Sequence, residues 1–166
     1  MSAIRIRLYA VTVLALLLAA PLLTAHQERP PENIYFTLKN AGNFKTLIKA
    51  IEAAGLVDTV KGSGPFTMFA PTDEAFSKLP AGELEDLLKP EHKEKLRTIL
   101  LYHILPEKLM ASEMAAPREA RTLKRTRLKI ETSGGLVKID DATVVRQDLA
   151  ASNGVIHVID ALLTPQ

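Results

Sequence analysis

The chain has 166 residues, 47% hydrophobic and only 5% aromatic, a length for one domain plus an extension with material for a core. It contains no Cys, which excludes disulfides, cysteine zinc sites, iron–sulfur clusters, thiolate catalysis and a lipid-bearing cysteine at a signal cleavage point. Arg5 and Arg7 carry the formal charge of +2; without these two of the 21 Lys and Arg, the rest balances the 19 Asp and Glu and has no net field to draw it to nucleic acid or membrane.

Residues 1–25 hold those two arginines and no acid, then an apolar run from Leu8 to Ala20, Pro21, and Leu23-Thr24-Ala25. Charge, apolar stretch and small residue in that order is a signal-peptide layout, with cleavage expected after Ala25. A retained N-terminal anchor is the alternative, although the run is short of the roughly 20 apolar residues that span a bilayer. Residues 26–32, with Pro30 and Pro31, read as a short tail, and 33–166 as one domain.

Asn33 to Asn40 predicts a short helix capped by Asn33 and ended by Gly42. Phe44, Leu47, Ile48 and Ile51 fall at i, i+3, i+4 and i+7, an amphipathic helix stopped by Gly55. Phe66 to Ala70 reads as a buried strand halted by Pro71. Thr72 then caps a helix with Asp73 and Glu74 in its first turn, and Phe69 and Phe76 are expected to reach one core from both sides of that corner. Glu83 to Leu88 and Glu91 to Leu101 are further helices, the second with Leu96, Ile99, Leu100 and His103 at helical spacing. Met110 to Ala120 has no clear period and reads as a surface linker.

From Thr122 the pattern becomes β. Leu128 and Ile130 alternate with Arg127, Lys129 and Glu131; Ser133-Gly134-Gly135 is a hairpin turn; Leu136 to Ile139 returns. Ala142 to Val145 is another strand. Asn153-Gly154 signals a tight turn before Val155 to Ile159, an apolar run of central-strand type. Helices crowd the first half and strands the second, so the fold class is α+β.

Three stretches together resemble the fasciclin-like domain family, in its secreted bacterial single-domain type. Phe66-Thr67-Met68-Phe69-Ala70-Pro71-Thr72-Asp73-Glu74-Ala75-Phe76 resembles its first homology box. Tyr102-His103, flanked by Leu100, Leu101, Ile104 and Leu105, resembles its tyrosine–histidine motif. Asn153-Gly154-Val155-Ile156-His157-Val158-Ile159-Asp160 resembles its second box. The resemblance implies a wedge of two β-sheets with helices packed around it, and export for adhesion or matrix binding without a known reaction. It also implies a partner contact at Asp148-Leu149, where animal members carry an Asp-Ile pair linked to integrin binding. Leu149 replaces the isoleucine, and Arg125-Thr126 stands where a small or glycine turn residue is commoner.

His103 and His157 sit inside apolar stretches and read as packed imidazoles donating to backbone carbonyls. No H-x-H or H-E-x-x-H spacing supports a metal. Tyr102 reads as a packed ring with a satisfied hydroxyl. Ser63 lacks the G-x-S-x-G elbow, and Asp140, Asp141 and Asp160 lack calcium-loop spacing. Thr72, Tyr102, His103, Asn153, Gly154 and His157 are therefore assigned structural roles, and no catalytic residue, metal or cofactor is expected. Arg118, Arg121, Lys124, Arg125, Arg127 and Lys129 stand against one acid, Glu119. They form either a solvated edge whose cations discourage pairing or a patch for acidic polysaccharide or another anionic envelope surface.

The reading is an exported, monomeric, non-catalytic module, secreted or periplasmic, that binds a protein or acidic glycan at the envelope or matrix. Asp148, Leu149, Arg125, Arg127 and Lys129 are its candidate contacts; nucleic acid and membrane insertion after cleavage are not expected. The alternative is a periplasmic accessory subunit or small-ligand carrier with an apolar pocket near Tyr102 or His157.

Overall fold

A computed structural model describes residues 32–165 apart from 117. The leader reading for 1–25, and 26–31 of the tail, lie outside the described residues. The helices are α1 (Ile34–Ala41), α2 (Lys45–Ala53), α3 (Val57–Lys61), α4 (Asp73–Ser77), α5 (Glu83–Leu87) and α6 (Lys93–Tyr102). The strands are β1 (Phe66–Pro71), β2 (Ile104–Leu105), β3 (Arg118–Arg121), β4 (Arg127–Ser133), β5 (Leu136–Ile139), β6 (Ala142–Ala151) and β7 (Gly154–Ile159). Among the described residues no helix is long and apolar enough to cross a membrane.

The strands run in the order β2-β1-β7-β6-β5-β4-β3, so β7, the last in sequence, lies between β1 and β6. It is parallel to β1, with Phe69 opposite His157, and antiparallel to β6. β6 belongs to both halves. Ala142 and Thr143 pair with β5, whereas Val144 to Ala151 pair with β7 through two register shifts, between Val144 and Arg146 and between Arg146 and Leu149. Such irregularities bend a strand and increase its twist. Here they turn one ribbon into the two faces of a wedge.

Strand alternation divides the core in two. Met68 and Ala70 on β1, with Ile156 and Val158 on β7, face a cluster built with α1, α2 and α6. Phe69 and Ile159 face the wedge interior with Leu105, Leu128, Ile130 and Ile139. Phe76 lies in the helical cluster, so Phe69 and Phe76 occupy separate cores, contrary to the sequence expectation. Phe69 shares a face of β1 with neither Met68 nor Ala70, and α4 packs on their side.

Two further expectations are corrected. Met110 to Ala120 is not a plain linker: Ala111–Met114 is a 3-10 turn with Met114 fully buried, and Arg118–Arg121 is the outermost strand, β3. The period was hidden because the segment is two short elements. The strand beginning at Ala142 runs on to Ala151, and its bulges break the alternation after Val144.

Caps set the helix ends. Asn33 Oδ1 accepts from the Phe36 N–H at 3.1 Å, and Thr72 Oγ1 from the Ala75 N–H at 3.2 Å. Phe44 offers α2 no side-chain cap. Asp73 supplies it from another element, its carboxylate accepting from the Thr46 N–H at 2.7 Å and the Lys45 N–H at 3.3 Å. Burial pushes the Asp73 carboxyl up, but these N–H groups outweigh burial and hold it below the usual range. One acid at the β1–α4 corner thus orients two helices.

Candidate functional site

The polar residues embedded in apolar sequence are all engaged internally. His103, at the C-terminal end of α6, is fully buried; its Nδ1–H donates to the Ile99 carbonyl at 2.8 Å and its Nε2 accepts from the Leu163 N–H at 3.0 Å. His157, in the middle of β7, has the opposite tautomer. Its Nε2–H donates to the Leu109 carbonyl at 2.8 Å, and its Nδ1 accepts from the Asp148 N–H at 3.3 Å. Burial, partly opposed by the carbonyl contact, lowers His103 to about 4 and lowers His157 too. Both rings are neutral and have no free nitrogen for a proton transfer or a metal.

Tyr102 is buried, and its phenol donates to Asp140 Oδ2 at 2.7 Å. Burial first, then this carboxylate, raises its pKa, so it stays protonated. Asp140, at φ 50°, also accepts from the Lys129 N–H at 2.9 Å and so closes the β5–β6 turn over β4. A cleft of about 440 Å³ opens beside Tyr102, lined by Arg127, Lys129, Glu131, Asp140 and Asp141 among others. That lining is charged, whereas a carrier of apolar ligands needs a greasy one.

Asn153 does far more than mark a turn. Its Oδ1 accepts from the Ile34 N–H at 2.9 Å, while its Nδ2 donates to the Val60 and Gly62 carbonyls at 2.8 and 2.7 Å. One amide therefore joins the β6–β7 turn to the start of α1 and the end of α3. Gly154 follows it where β1 passes so close that a Cβ would lie 2.0 Å from the Phe66 carbonyl oxygen. Thr67, fully buried in β1, was not singled out in the sequence; its hydroxyl donates to the Glu107 carbonyl at 2.7 Å and accepts from the Leu109 N–H at 2.8 Å. A lone threonine within an apolar strand was the available signal.

The candidate contacts separate into two places. Asp148 lies on the exposed bulge of β6 at φ 54°, its Oδ1 accepting from the Ala111 N–H at 2.9 Å. Leu149 beside it is half-buried and packs on the helical core. The basic residues gather at β3, β4 and the turn joining them. Arg118 pairs with Glu107 at 3.3 Å, Arg127 with Glu119 at 2.7 Å and Lys129 with Glu131 at 2.5 Å. Arg121, Lys124 and Arg125 have no carboxylate partner among the described residues. Arg125 holds φ 69°, a left-handed turn position that accounts for the glycine preference expected there. Arg121 and Arg127 are direct cross-strand partners, a like-charge pairing that costs stability. With Arg125 and Glu119 they line a surface hollow of about 410 Å³.

A bulged strand shared by two sheet faces, a parallel β1–β7 pair and helices over one side define a fasciclin-type domain. The Fasciclin domain family profile matches residues 42–165, and the chain belongs to that family. It is 48% identical to protein sll1483 of Synechocystis over 127 residues, which are 75% of this chain and 70% of that protein. It is 35% identical to the transforming growth factor-beta-induced protein ig-h3 of Sus scrofa over 82% of this chain and only 20% of that protein. A FAS1 domain pair from the insect cell adhesion molecule fasciclin I matches with a TM-score of 0.60 at 23% identity, over 75% of this chain and 46% of that one. That likeness speaks for the fold alone.

Proposed function

We propose that this chain is an exported, non-catalytic adhesion or interaction module, with an acidic glycan or similarly anionic partner held at the β3–β4 end of the wedge. The observation that carries the reading is the hollow where Arg121, Arg125 and Arg127 meet with one carboxylate between them. Guanidinium groups bind carboxylate and sulfate through paired donors, and a bound anion would relieve the Arg121–Arg127 opposition. Membership of the Fasciclin family supports the interaction role, and the leader-like pattern of residues 1–25 supports export. The bulge at Asp148 and Leu149 is the second candidate contact, Asp148 being the more exposed of the two. Lys129, paired to Glu131, belongs to the rim of the basic region.

Retention of the purified protein on heparin and alginate resins tests this. Retention is expected to weaken steeply with salt, and the combined Arg121→Gln, Arg125→Gln, Arg127→Gln variant to elute at much lower salt. Salt-independent retention, or an unchanged elution of the variant, overturns the reading.

A further inference from the structure

A different surface carries a more specific signature. Between α1 and α2 lies a groove of about 240 Å³ with Leu38, Phe44 and Ile48 as its floor and Lys39, Lys45 and Lys49 around it. The floor is recessed, its three side chains 1%, 2% and 9% exposed, while the lysines are exposed. Residues 33–51, between Glu32 and Glu52, contain these three cations and no Asp or Glu. None of the three is in an ion pair among the described residues, although the Lys39 ammonium lies 5.9 Å from the centre of the Tyr35 ring. The carboxylates around this region are already engaged: Asp73 with the Lys45 and Thr46 N–H groups of α2, Glu32 with the Asn40 side-chain amide, and Glu52 with the Tyr35 hydroxyl.

We propose that this groove docks an acidic segment of a partner protein, seating one apolar side chain over Phe44 and placing flanking carboxylates on Lys39, Lys45 and Lys49. Lysine stems cover apolar surface while their ammonium groups stay in water, so an entering aliphatic side chain extends the floor and leaves the charges at the rim. Cations without a carboxylate partner, set around an apolar depression, complement a peptide in which acids flank a hydrophobic residue. A membrane surface fits less well. Inserting into lipid requires apolar side chains that protrude, and among the described residues the exposed large ones, Phe36, Leu136 and Val145, lie outside the groove. The groove shares no lining residue with the arginine hollow.

The probe is a fluorescein-labelled peptide of four glutamates around a central leucine, with a glycine-centred peptide as its control, followed by anisotropy at low salt. The leucine peptide is expected to bind the wild-type protein at least about tenfold more tightly than the glycine peptide, as burial of one leucine side chain requires. It is expected to bind the combined Lys39→Gln, Lys45→Gln, Lys49→Gln variant at least about tenfold more weakly, with the melting temperature unchanged because these are exposed positions. The Arg121→Gln, Arg125→Gln variant should bind it as the wild type does, which separates this site from the basic hollow. Amide shifts on peptide addition should concentrate in residues 38–49. No binding, equal affinity for the two peptides, loss in the arginine variant instead, or a stronger lysine-dependent attachment to phosphatidylglycerol vesicles overturns the proposal.

Discussion

The Asp148 N–H donates to Nδ1 of His157 across 3.3 Å, fastening the exposed bulge of β6 to a buried ring on β7. The same imidazole holds the Leu109 carbonyl through its other nitrogen, and Asp148 Oδ1 holds the Ala111 N–H. An exposed candidate partner contact is thus anchored by the core beneath it. Asp148→Asn should preserve both the left-handed backbone and the side-chain acceptor, leaving stability within about 0.5 kcal/mol. Asp148→Val should cost about 2 kcal/mol, because a β-branched residue is strained at φ 54° and the Ala111 contact is lost. Urea denaturation of the two variants checks the difference; equal stability contradicts it.

His103 makes stability depend on pH. Burial holds its folded pKa at about 4, against about 6.5 when the chain is unfolded. Above pH 6.5 neither state takes the proton and stability is complete. Between pH 6.5 and 4 only the unfolded chain is protonated, so stability falls, by roughly 3 kcal/mol at full effect. Below pH 4 folded His103 also protonates and its share of the loss levels off. His157, also lowered, acts in the same direction. Chemical denaturation at pH 7.5 and 4.5 should show a clear loss at the lower value; equal stability would mean that the rings are not held neutral.

Removing the Asn153 side chain leaves a donor at Ile34 and acceptors at Val60 and Gly62 without partners. Asn153→Ala should cost about 3 kcal/mol. Asn153→Asp, nearly the same shape, should cost at least as much, since it points an oxygen at two carbonyls where an NH2 group donated. Thermal melts of both variants decide this: a near-neutral aspartate variant would show that shape, not hydrogen bonding, is what the position needs.

Gly154→Ala places a methyl 2.0 Å from the Phe66 carbonyl oxygen, at the start of the parallel β1–β7 pairing. Backbone has to move there, since the obstacle is not a flexible side chain. The variant is expected to lose more than about 3 kcal/mol or to accumulate unfolded. Gly82→Ala, at φ 84° with open space around its Cβ, should be much milder. Expression yield and melting temperature of the pair give the comparison.

Local chemistry alone determined much of this protein. The caps at Asn33 and Thr72, the 3.6-residue periods of α2 and α6, and the glycine turn between β4 and β5 are each written within a few residues, and each formed as read. The burial of His103 and His157 was legible too, because a single imidazole in an apolar run has few other places to go. Three boxes in order were enough for the family, since together they encode the β1–α4 corner and the β7 strand it pairs with. Met110 to Ala120 was illegible because a 3-10 turn and a short edge strand are both too brief to show a period.

Tertiary structure alone decided which distant groups meet. Asp73 reads as a first-turn acid of its own helix, yet its oxygens cap α2, twenty-seven positions away by its closer bond. Asn153 reads as a turn residue, yet it ties strands to α1 and α3 across 119 and 93 positions. The six basic residues read as one patch, yet among the described residues three found carboxylates and three did not. Sequence periodicity reports which face of an element is buried, because that depends on neighbours a turn away. Hydrogen-bond partners and charge pairing depend on how whole elements dock, and that information exists only once the chain has folded.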